Sequence, residues 1–543
     1  MNRRGLIASG IAVLLMSLAV LAGAQTRKLT ILHTNDTHSA MVPFDASRAG
    51  IARMATLIKT LKATGGNVLT LNAGDVFVGS FEFNKSLGYP ELKIMENLYD
   101  AMELGNHEFD LGVDMLAGVL SGRVAGASAV RLPILCANVD FAGTPLDGLV
   151  QACIIKKIGD LTVGIFGLVT QEPQHFPGDV VKRFRHPYEA ADPEATLWHY
   201  AATLAGGLKA KCDVVVCLSH LGAALDDVLA DNVPNIDVIV GGHSHSVFQK
   251  AVERNGKIIV QAGHFGEYLG ELRLQVTGGA VTLESWKLHP VDGRIKEDPQ
   301  VKARVDKVRS DVVGDARFGP VYSRQVAVAL RDITKSWPAG GRDRDTPLGN
   351  LVTDAFRNGL AKAGFQVDCA LDVLGYLGAD IRAGKVVGNH ILRAVPYGYD
   401  QDSGLGFKVV VVPLTGFLLL GGLEYAADMV TLTTDLAVQA SGLTYAYDSS
   451  RPAAAALGKL SRLDPSSVRV NGESVAANLN KVYKVAMSDK VFRFFNDIAG
   501  GGLTAVPTGL PRYTVVRDYM KSLKLIQYKS EGRIKDTAPV SAP

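Results

Sequence analysis

Short apolar runs, each closed by a polar turn, recur through the first half of the chain. Residues 28–33 (KLTILH), 67–71 (NVLTL), 162–169 (TVGIFGLV), 214–218 (VVVCL), 238–240 (VIV) and 257–261 (KIIVQ) read as buried strands. Stretches with apolar residues at helical spacing, such as residues 51–61, lie between them. Strands alternating with helices predict a layered α/β domain over residues 26–297. Residues 298–313 (DPQVKARVDKVRSDVV) carry Val301, Val305, Val308 and Val312 on one stripe of a charged helix that Asp298 and Pro299 can start. This segment reads either as part of a linker, residues 298–317, or as the last surface helix of the first domain. A second, smaller α/β unit follows over residues 318–526, with a helical stretch at 346–360 and strands at 409–412 and 483–487. The tail, residues 527–543, is polar with Pro539 and Pro543 and is expected to be loose.

The N-terminus adds a processing signal. Arg3 and Arg4 precede an apolar run over residues 6–21, and Ala22-Gly23-Ala24 supplies small residues for cleavage. The signal peptide is therefore expected at residues 1–24, with a mature chain starting near Gln25. The apolar run falls short of the ~20 residues that span a bilayer. A periplasmic or secreted protein with no stable membrane insertion after cleavage is expected.

Of the 543 residues, 47% are hydrophobic and 20% charged, an ordinary globular composition that excludes disorder, collagen and coiled coil. Fifty-seven Lys and Arg balance 54 Asp and Glu, and no tail carries a charge run. Nothing therefore points to a nucleic acid polymer as partner. The five cysteines, Cys136, Cys153, Cys212, Cys217 and Cys369, lack paired C-x-x-C spacing and read mostly as small buried hydrophobes. Cys212 and Cys217 flank an extended run and stand too far apart to bridge.

The chemistry sits just past the strands. Residues 28–33 lead into Asn35-Asp36-Thr37-His38, and residues 67–71 into Ala73-Gly74-Asp75. Residues 102–104 lead into Gly105-Asn106-His107-Glu108. Residues 214–218 lead into Ser219-His220, and residues 238–240 into Gly241-Gly242-His243-Ser244-His245. Loops beyond the carboxyl ends of strands in open α/β sheets share one rim, so these side chains can converge. Asp, Asn and imidazole without thiolate suit a borderline-hard divalent ion. Seven donors, Asp36, His38, Asp75, Asn106, His220, His243 and His245, exceed what one four-coordinate ion needs. They suit two ions that share a carboxylate, the arrangement that clamps an in-line displacement at phosphorus. The set admits Zn, Mn, Co, Mg or Fe.

These motifs, in this order, resemble the bacterial periplasmic and animal ecto-5′-nucleotidases, over roughly residues 27–525. The resemblance implies a four-layer αββα metallophosphoesterase sandwich followed by a smaller α/β substrate-binding domain. It implies one metal on Asp36, His38, Asp75 and His245 and a second on Asp75, Asn106, His220 and His243, with Asp75 bridging. His245 stands where the family often has Gln or Asn. The resemblance also assigns His107 and Asp110 as the catalytic pair, and it implies phosphoester hydrolysis by a metal-bridging hydroxide. A hinge near the 298–313 helix is implied as well. An imidazolium near the leaving oxygen can stabilise or protonate it, and a carboxylate would fix the ring.

The second unit resembles the family's substrate reader. Gly341-Arg342-Asp343-Arg344-Asp345-Thr346-Pro347-Leu348-Gly349-Asn350 and Ile381-Arg382 place Arg342, Arg344 and Arg382 as binders of a phosphate or other oxyanion. The alternative is surface arginines paired with Asp343 and Asp345. Tyr397, in Pro396-Tyr397-Gly398-Tyr399, and Phe495, or its neighbour Phe494, are the candidates for stacking on a base. This sequence departs from the family at Leu377, Ala379, Asp380, Tyr399 and Gly502. The expected substrate is a small-molecule phosphoester, foremost a nucleotide. The drifted pocket keeps open a 2′,3′-cyclic nucleotide phosphodiesterase/3′-nucleotidase, a UDP-sugar hydrolase or a thiosulfohydrolase on the same scaffold. A non-catalytic anion-binding protein is the alternative of a different class, and oligomeric state is left open.

Overall fold

The computed structural model describes residues 25–43, 48–338, 340–454 and 459–539. The signal peptide expected at residues 1–24 lies outside the described residues. The chain divides into two compact units, one running up to Val78 and over Ser86–Arg309, the other comprising Gly79–Lys85 and the chain from Ser310 onward. The division falls inside the helix Pro299–Gly314, whose Val301, Val305, Val308 and Val312 are all buried.

Among the described residues thirteen strands build the first unit: β1 (Arg27–Thr34), β2 (Val68–Asn72), β3 (Ala101–Glu103), β4 (Ile134–Leu135), β5 (Val150–Gln151), β6 (Cys153–Ile158), β7 (Leu161–Val169), β8 (Val214–His220), β9 (Val238–Gly241), β10 (Val252–Arg254), β11 (Lys257–Val260), β12 (Tyr268–Thr277) and β13 (Ala280–Pro290). One sheet has the order β13-β12-β1-β2-β3-β4-β5, the other β10-β11-β9-β8-β7-β6. β1 through β5 run parallel to one another, as do β7, β8, β9 and β11. The two sheets share one core. Leu29, Ile31, Leu69 and Leu71 from the first and Val163, Ile165, Val214, Val216, Val238 and Val240 from the second are all fully buried in it.

The other face of the second sheet is covered too. Val215, Cys217 and Ile239 pack against Leu197, Ala201 and Ala205 of the helix Leu197–Lys209 and Leu229 and Ala230 of the helix Ala223–Asn232. Burial on both faces is why β8 and β9 read as unbroken apolar runs rather than alternating ones. Each such side chain contributes about 1.5–3 kcal/mol relative to exposure. With helices flanking the pair, the layers form an αββα sandwich.

The second unit is also mixed α/β. Its five-stranded sheet takes the order Val438–Ser441, Cys369–Val373, Val482–Ser488, Lys408–Thr415, Val506–Pro511, and smaller sheets of three and four strands accompany it. Phe81, from Gly79–Lys85, belongs to this unit's core, edge-on to Phe318 and Tyr513 at 5.2 and 5.4 Å. The helix expected at 346–360 starts at Pro347, capped by Thr346 Oγ1 accepting from Gly349 N at 2.9 Å, and widens into a looser turn at Ala355–Gly359.

One expectation is corrected. The tail does not come loose at residue 527: Ile534–Asp536 forms a strand parallel to Leu443–Tyr447, and Arg533 is ion-paired with Asp354 at 2.8 Å. Backbone pairing, a half-buried ion pair and the single buried Ile534 hold this segment, not an apolar run. All five cysteines are free; Cys153 is half-buried and the other four buried. Among the described residues no helix is long and apolar enough to cross a membrane.

Candidate metal centre

Five parallel strands from the two sheets deliver the donors at their carboxyl ends. Asp36 and His38 follow β1, Asp75 follows β2, Asn106 follows β3, His220 closes β8, and His243 and His245 follow β9. Backbone hydrogen bonds knit these turns together: Asp36 N donates to Gly74 O at 2.9 Å, His38 N to Asp75 O at 3.0 Å, and Phe265 N to Asp36 O at 2.7 Å. Gly74, at φ 89°, permits a close approach. A Cβ there would lie 2.6 Å from Gly105 N and 2.8 Å from His220 Nδ1. Five of the seven donors themselves have positive φ: Asp36 (49°), His38 (45°), Asp75 (54°), His243 (68°) and His245 (56°). Non-glycine residues in this region are uncommon and cluster at functional sites, where the surrounding fold enforces them.

The donors form two groups with Asp75 between them. On one side His38 Nε2 lies 3.1 Å from His245 Nε2, His245 Nε2 3.5 Å from Asp36 Oδ1, and His38 Nε2 4.0 Å from Asp75 Oδ2. On the other side His220 Nε2 lies 3.1 Å from the same Asp75 Oδ2, with His243 in reach. The chemistry of the set fits cations. His38 Nδ1 faces Phe77 O at 3.3 Å and His220 Nδ1 faces Ala73 O at 2.6 Å. A proton on each Nδ1 leaves both Nε2 atoms to point inward. Asn106 Oδ1 is buried without a hydrogen-bond partner among the described residues, a loss worth about 1–3 kcal/mol unless something else satisfies it.

The electrostatics agree. Burial pulls the His38 pKa down to about 3, so the ring is neutral, as a metal ligand must be. Burial raises Asp36, whereas His220 and His107 outweigh burial at Asp75 and hold it well below the usual carboxylate range. Burial also disfavours the His220 imidazolium, but Asp75 and then Asp36 overcome it and raise the pKa to about 10. The field that attracts a proton to Nε2 attracts a divalent cation to the same place.

His107 and Asp110 sit beside this cup. His107 N donates to Asp75 Oδ1 at 2.9 Å, and His107 Nδ1 lies 2.9 Å from Asp110 Oδ2. Burial lowers the His107 pKa, but Asp110 and Asp75 reverse this and raise it to about 9.

Two further residues escaped the sequence reading. Glu108 accepts from Asp75 N, Val76 N, Phe77 N and Gly105 N at 3.0, 2.8, 3.0 and 2.6 Å, so one buried carboxylate pins two donor-bearing turns. Burial and then the Asp75 charge push its pKa up to about 7, against the pull of those N–H groups. Glu172 follows β7, next to β8, and places Oε2 2.9 Å from His243 Nε2. The rule that found the other donors, applied to residues 162–169, reaches Thr170-Gln171-Glu172 in the same way.

In the second unit the arginines have separate partners. Arg344 lies over the Trp337 ring at 5.1 Å and pairs with Asp536 at 3.3 Å, Arg382 pairs with Asp332 at 2.6 Å, and Arg342 is exposed. The pairing alternative named Asp343 and Asp345 as their partners. Asp345 is instead buried and accepts from Asn350 Nδ2, Glu531 N and Ser530 Oγ. Tyr397 is 6% exposed and edge-on to Tyr376, which limits its access to a base. Phe495 and Phe494 line an apolar cavity with Leu371, Leu419, Tyr425 and Met487.

Residues 29–247 match the family model for calcineurin-like phosphoesterases, and residues 328–494 match that for the C-terminal domain of 5′-nucleotidases. The chain is 28% identical over 552 residues to a trifunctional nucleotide phosphoesterase protein of Bacillus subtilis, covering 94% of this chain and 35% of that one; it thus spans about a third of that relative's length. It is 28% identical over 581 residues to the 5′-nucleotidase of Homo sapiens, covering 96% of this chain and 94% of the human one. The crystal structure of a 5′-nucleotidase precursor from Thermus thermophilus superposes with a TM-score of 0.78 at 29% identity, covering 94% of this chain and 100% of that one.

Proposed function

The chain belongs to the 5′-nucleotidase family of metal-dependent phosphoester hydrolases, and from this premise we propose that it removes phosphate from a nucleotide. The proposed centre holds two divalent cations, one on Asp36, His38, Asp75 and His245 and one on Asp75, Asn106, His220 and His243. The observation that carries this reading is the shared carboxylate: Asp75 Oδ2 faces His220 at 3.1 Å and His38 at 4.0 Å. When bound, the ions would supply Lewis-acid stabilisation of charge on the phosphoryl oxygens.

The remaining work falls to side chains. Asp110 holds the Nδ1 proton of His107, so the imidazolium has its other N–H to give to a leaving oxygen. His107→Ala is expected to lower turnover by about 10²–10⁴-fold while metal content by elemental analysis stays near wild type. With a pKa raised to about 9, the protonated form prevails at neutral pH and is lost as pH rises through that value. Cations on Asp75 would lower that value, so the alkaline fall of kcat/KM should lie at or below pH 9 in the wild type and vanish in the variant. Unchanged turnover would remove His107 from the reaction.

Arg342, Arg344 and Arg382 are proposed to bind the substrate's oxyanion. A guanidinium carries five donors, so Arg344 and Arg382 can share theirs with Asp536 and Asp332. Phe495 is better exposed than Tyr397 for stacking on a base. A second reading rests on the altered pocket. Lys335 N donates to Asp380 Oδ1 at 3.0 Å and Lys335 Nζ to Leu377 O at 3.2 Å, so a cation occupies the segment where the family motif has departed. That favours a different phosphoester or a sulfated substrate on the same scaffold.

AMP, a UDP-sugar, 2′,3′-cyclic AMP and a sulfated carrier, assayed with chelated and remetallated samples, separate these readings. Best turnover of AMP, lost on chelation and restored by divalent ions, is the expected result. Preference for another substrate favours the second reading, and binding without turnover of any of them would overturn both. The proposal extends to export through the signal at residues 1–24, checked by N-terminal sequencing of the secreted or periplasmic chain, which should begin near Gln25.

A further inference from the structure

β7 and β8 run parallel, and just past β7 the Thr170 N–H donates to His220 O at 2.9 Å. Two residues on, Glu172 turns its carboxylate toward His243. Oε2 lies 2.9 Å from His243 Nε2, a normal hydrogen-bond length, and also accepts from Thr170 Oγ1 at 3.3 Å. His175 Nε2 stands 3.5 Å from the same oxygen, and its ring meets His243 edge-on.

Glu172, His175 and His243 are close enough together to be considered as a further cation site. The contacts argue otherwise. Oε2 already accepts from Thr170 Oγ1 and lies at hydrogen-bond length from His243 Nε2, and a carboxylate oxygen can only accept. As a hydrogen bond, this contact places a proton on Nε2. That proton fixes the ring: with Nε2 as donor, Nδ1 keeps the lone pair. His38 and His220 are anchored in the reverse sense, through Nδ1, and by backbone carbonyls. His243 differs from both in being held by a charged side chain.

We propose that Glu172 is the positioning carboxylate of His243, fixing its tautomer and ring orientation and strengthening its Nδ1 as a donor to one of the two cations. This rests on the reading of His243 as a metal ligand. A carboxylate behind a ligating imidazole raises the ligand's basicity, and its loss typically costs 10–100-fold in metal affinity. Glu172 is 39% exposed, so its replacement strands little in the interior.

The test compares the full chain with Glu172→Ala, Glu172→Gln and His175→Ala. Bound Zn²⁺ or Mn²⁺ is counted by elemental analysis and titrated against a chelator, and circular dichroism checks the fold. Wild type should hold two ions. Glu172→Ala should weaken one of them by about 10–100-fold and leave the other unchanged. Glu172→Gln should fall between, because an amide oxygen still accepts from Nε2–H without the charge. His175→Ala should match wild type. Equal affinities in Glu172→Ala and wild type would overturn the proposal. Three ions in wild type, with one lost in His175→Ala, would replace it with a further cation site. A wild-type chain that holds no ion would overturn the metal reading itself, and this proposal with it.

Discussion

Replacing Asp75 with Asn should lower phosphoester turnover by about 10³-fold or more and reduce bound metal from two ions to fewer than one. The side chain keeps its size but loses the charge that both donor groups share. Asp75 Oδ1 accepts from His107 N at 2.9 Å, which forces the amide oxygen of an Asn to that side. Its NH₂ group then occupies the position of Oδ2, 3.1 Å from His220 Nε2, and turns two protons toward the place where cations would sit. The defect should therefore exceed the loss of one ligand, because the substitution introduces repulsion at the shared position. Elemental analysis and single-turnover hydrolysis measure the two effects, with circular dichroism as the control for folding. An Asn variant that retains two ions and normal turnover would show that the centre is organised around some other group.

Glu108→Gln should destabilise the first unit by about 3–5 kcal/mol. The carboxylate accepts four backbone N–H groups, two on each oxygen. An amide oxygen can keep one pair; the NH₂ must face the other two donors. Above pH 7, where Glu108 is ionised, hydrogen bonds to the charged acceptor contribute about 1.5–3 kcal/mol each, so losing two of them and burying opposed donors is a large perturbation. The damage is local to the turns bearing Asp75 and Gly105, so metal affinity should fall together with stability. Denaturant unfolding followed by probes in each unit measures it. A change below about 1 kcal/mol would mean that the turns are held by the rest of the sandwich instead.

How far the sequence discloses this molecule depends on where each signal lies. β8 and β9 are legible because a parallel strand covered on both faces must be apolar along its length, and Val214 to Leu218 and Val238 to Val240 satisfy that without help from distant residues. The donors are legible for the same reason, since each closes such a run or stands within four residues of its end. Glu172 stands three residues past β7, as Asp75 does past β2, but it lies in Thr170-Gln171-Glu172-Pro173, without the glycine or second donor that marks the other turns. Glu108 stands in plain sight beside His107, yet its partners at residues 75–77 are distant in the chain and are backbone groups, which composition cannot advertise. The same limit explains the tail. Ile534–Asp536 is a short strand held by an ion pair from Arg533 and a ladder to Leu443–Tyr447, and neither leaves an apolar pattern. Tyr397 fails differently: an aromatic in a Pro-Gly turn reads as an accessible platform, and only packing beside Tyr376 reveals how little of it is exposed.

The left-handed turns at Asp36, His38, Asp75, His243 and His245 narrow what the centre can become. Asp, Asn and His are the non-glycine types that tolerate this backbone best, and they are also the types that bind a borderline-hard ion. Glycine would relax each turn but bring no donor, and β-branched residues would fit neither requirement. Two unrelated filters thus admit nearly the same short alphabet, so mutational drift at these positions has few places to go.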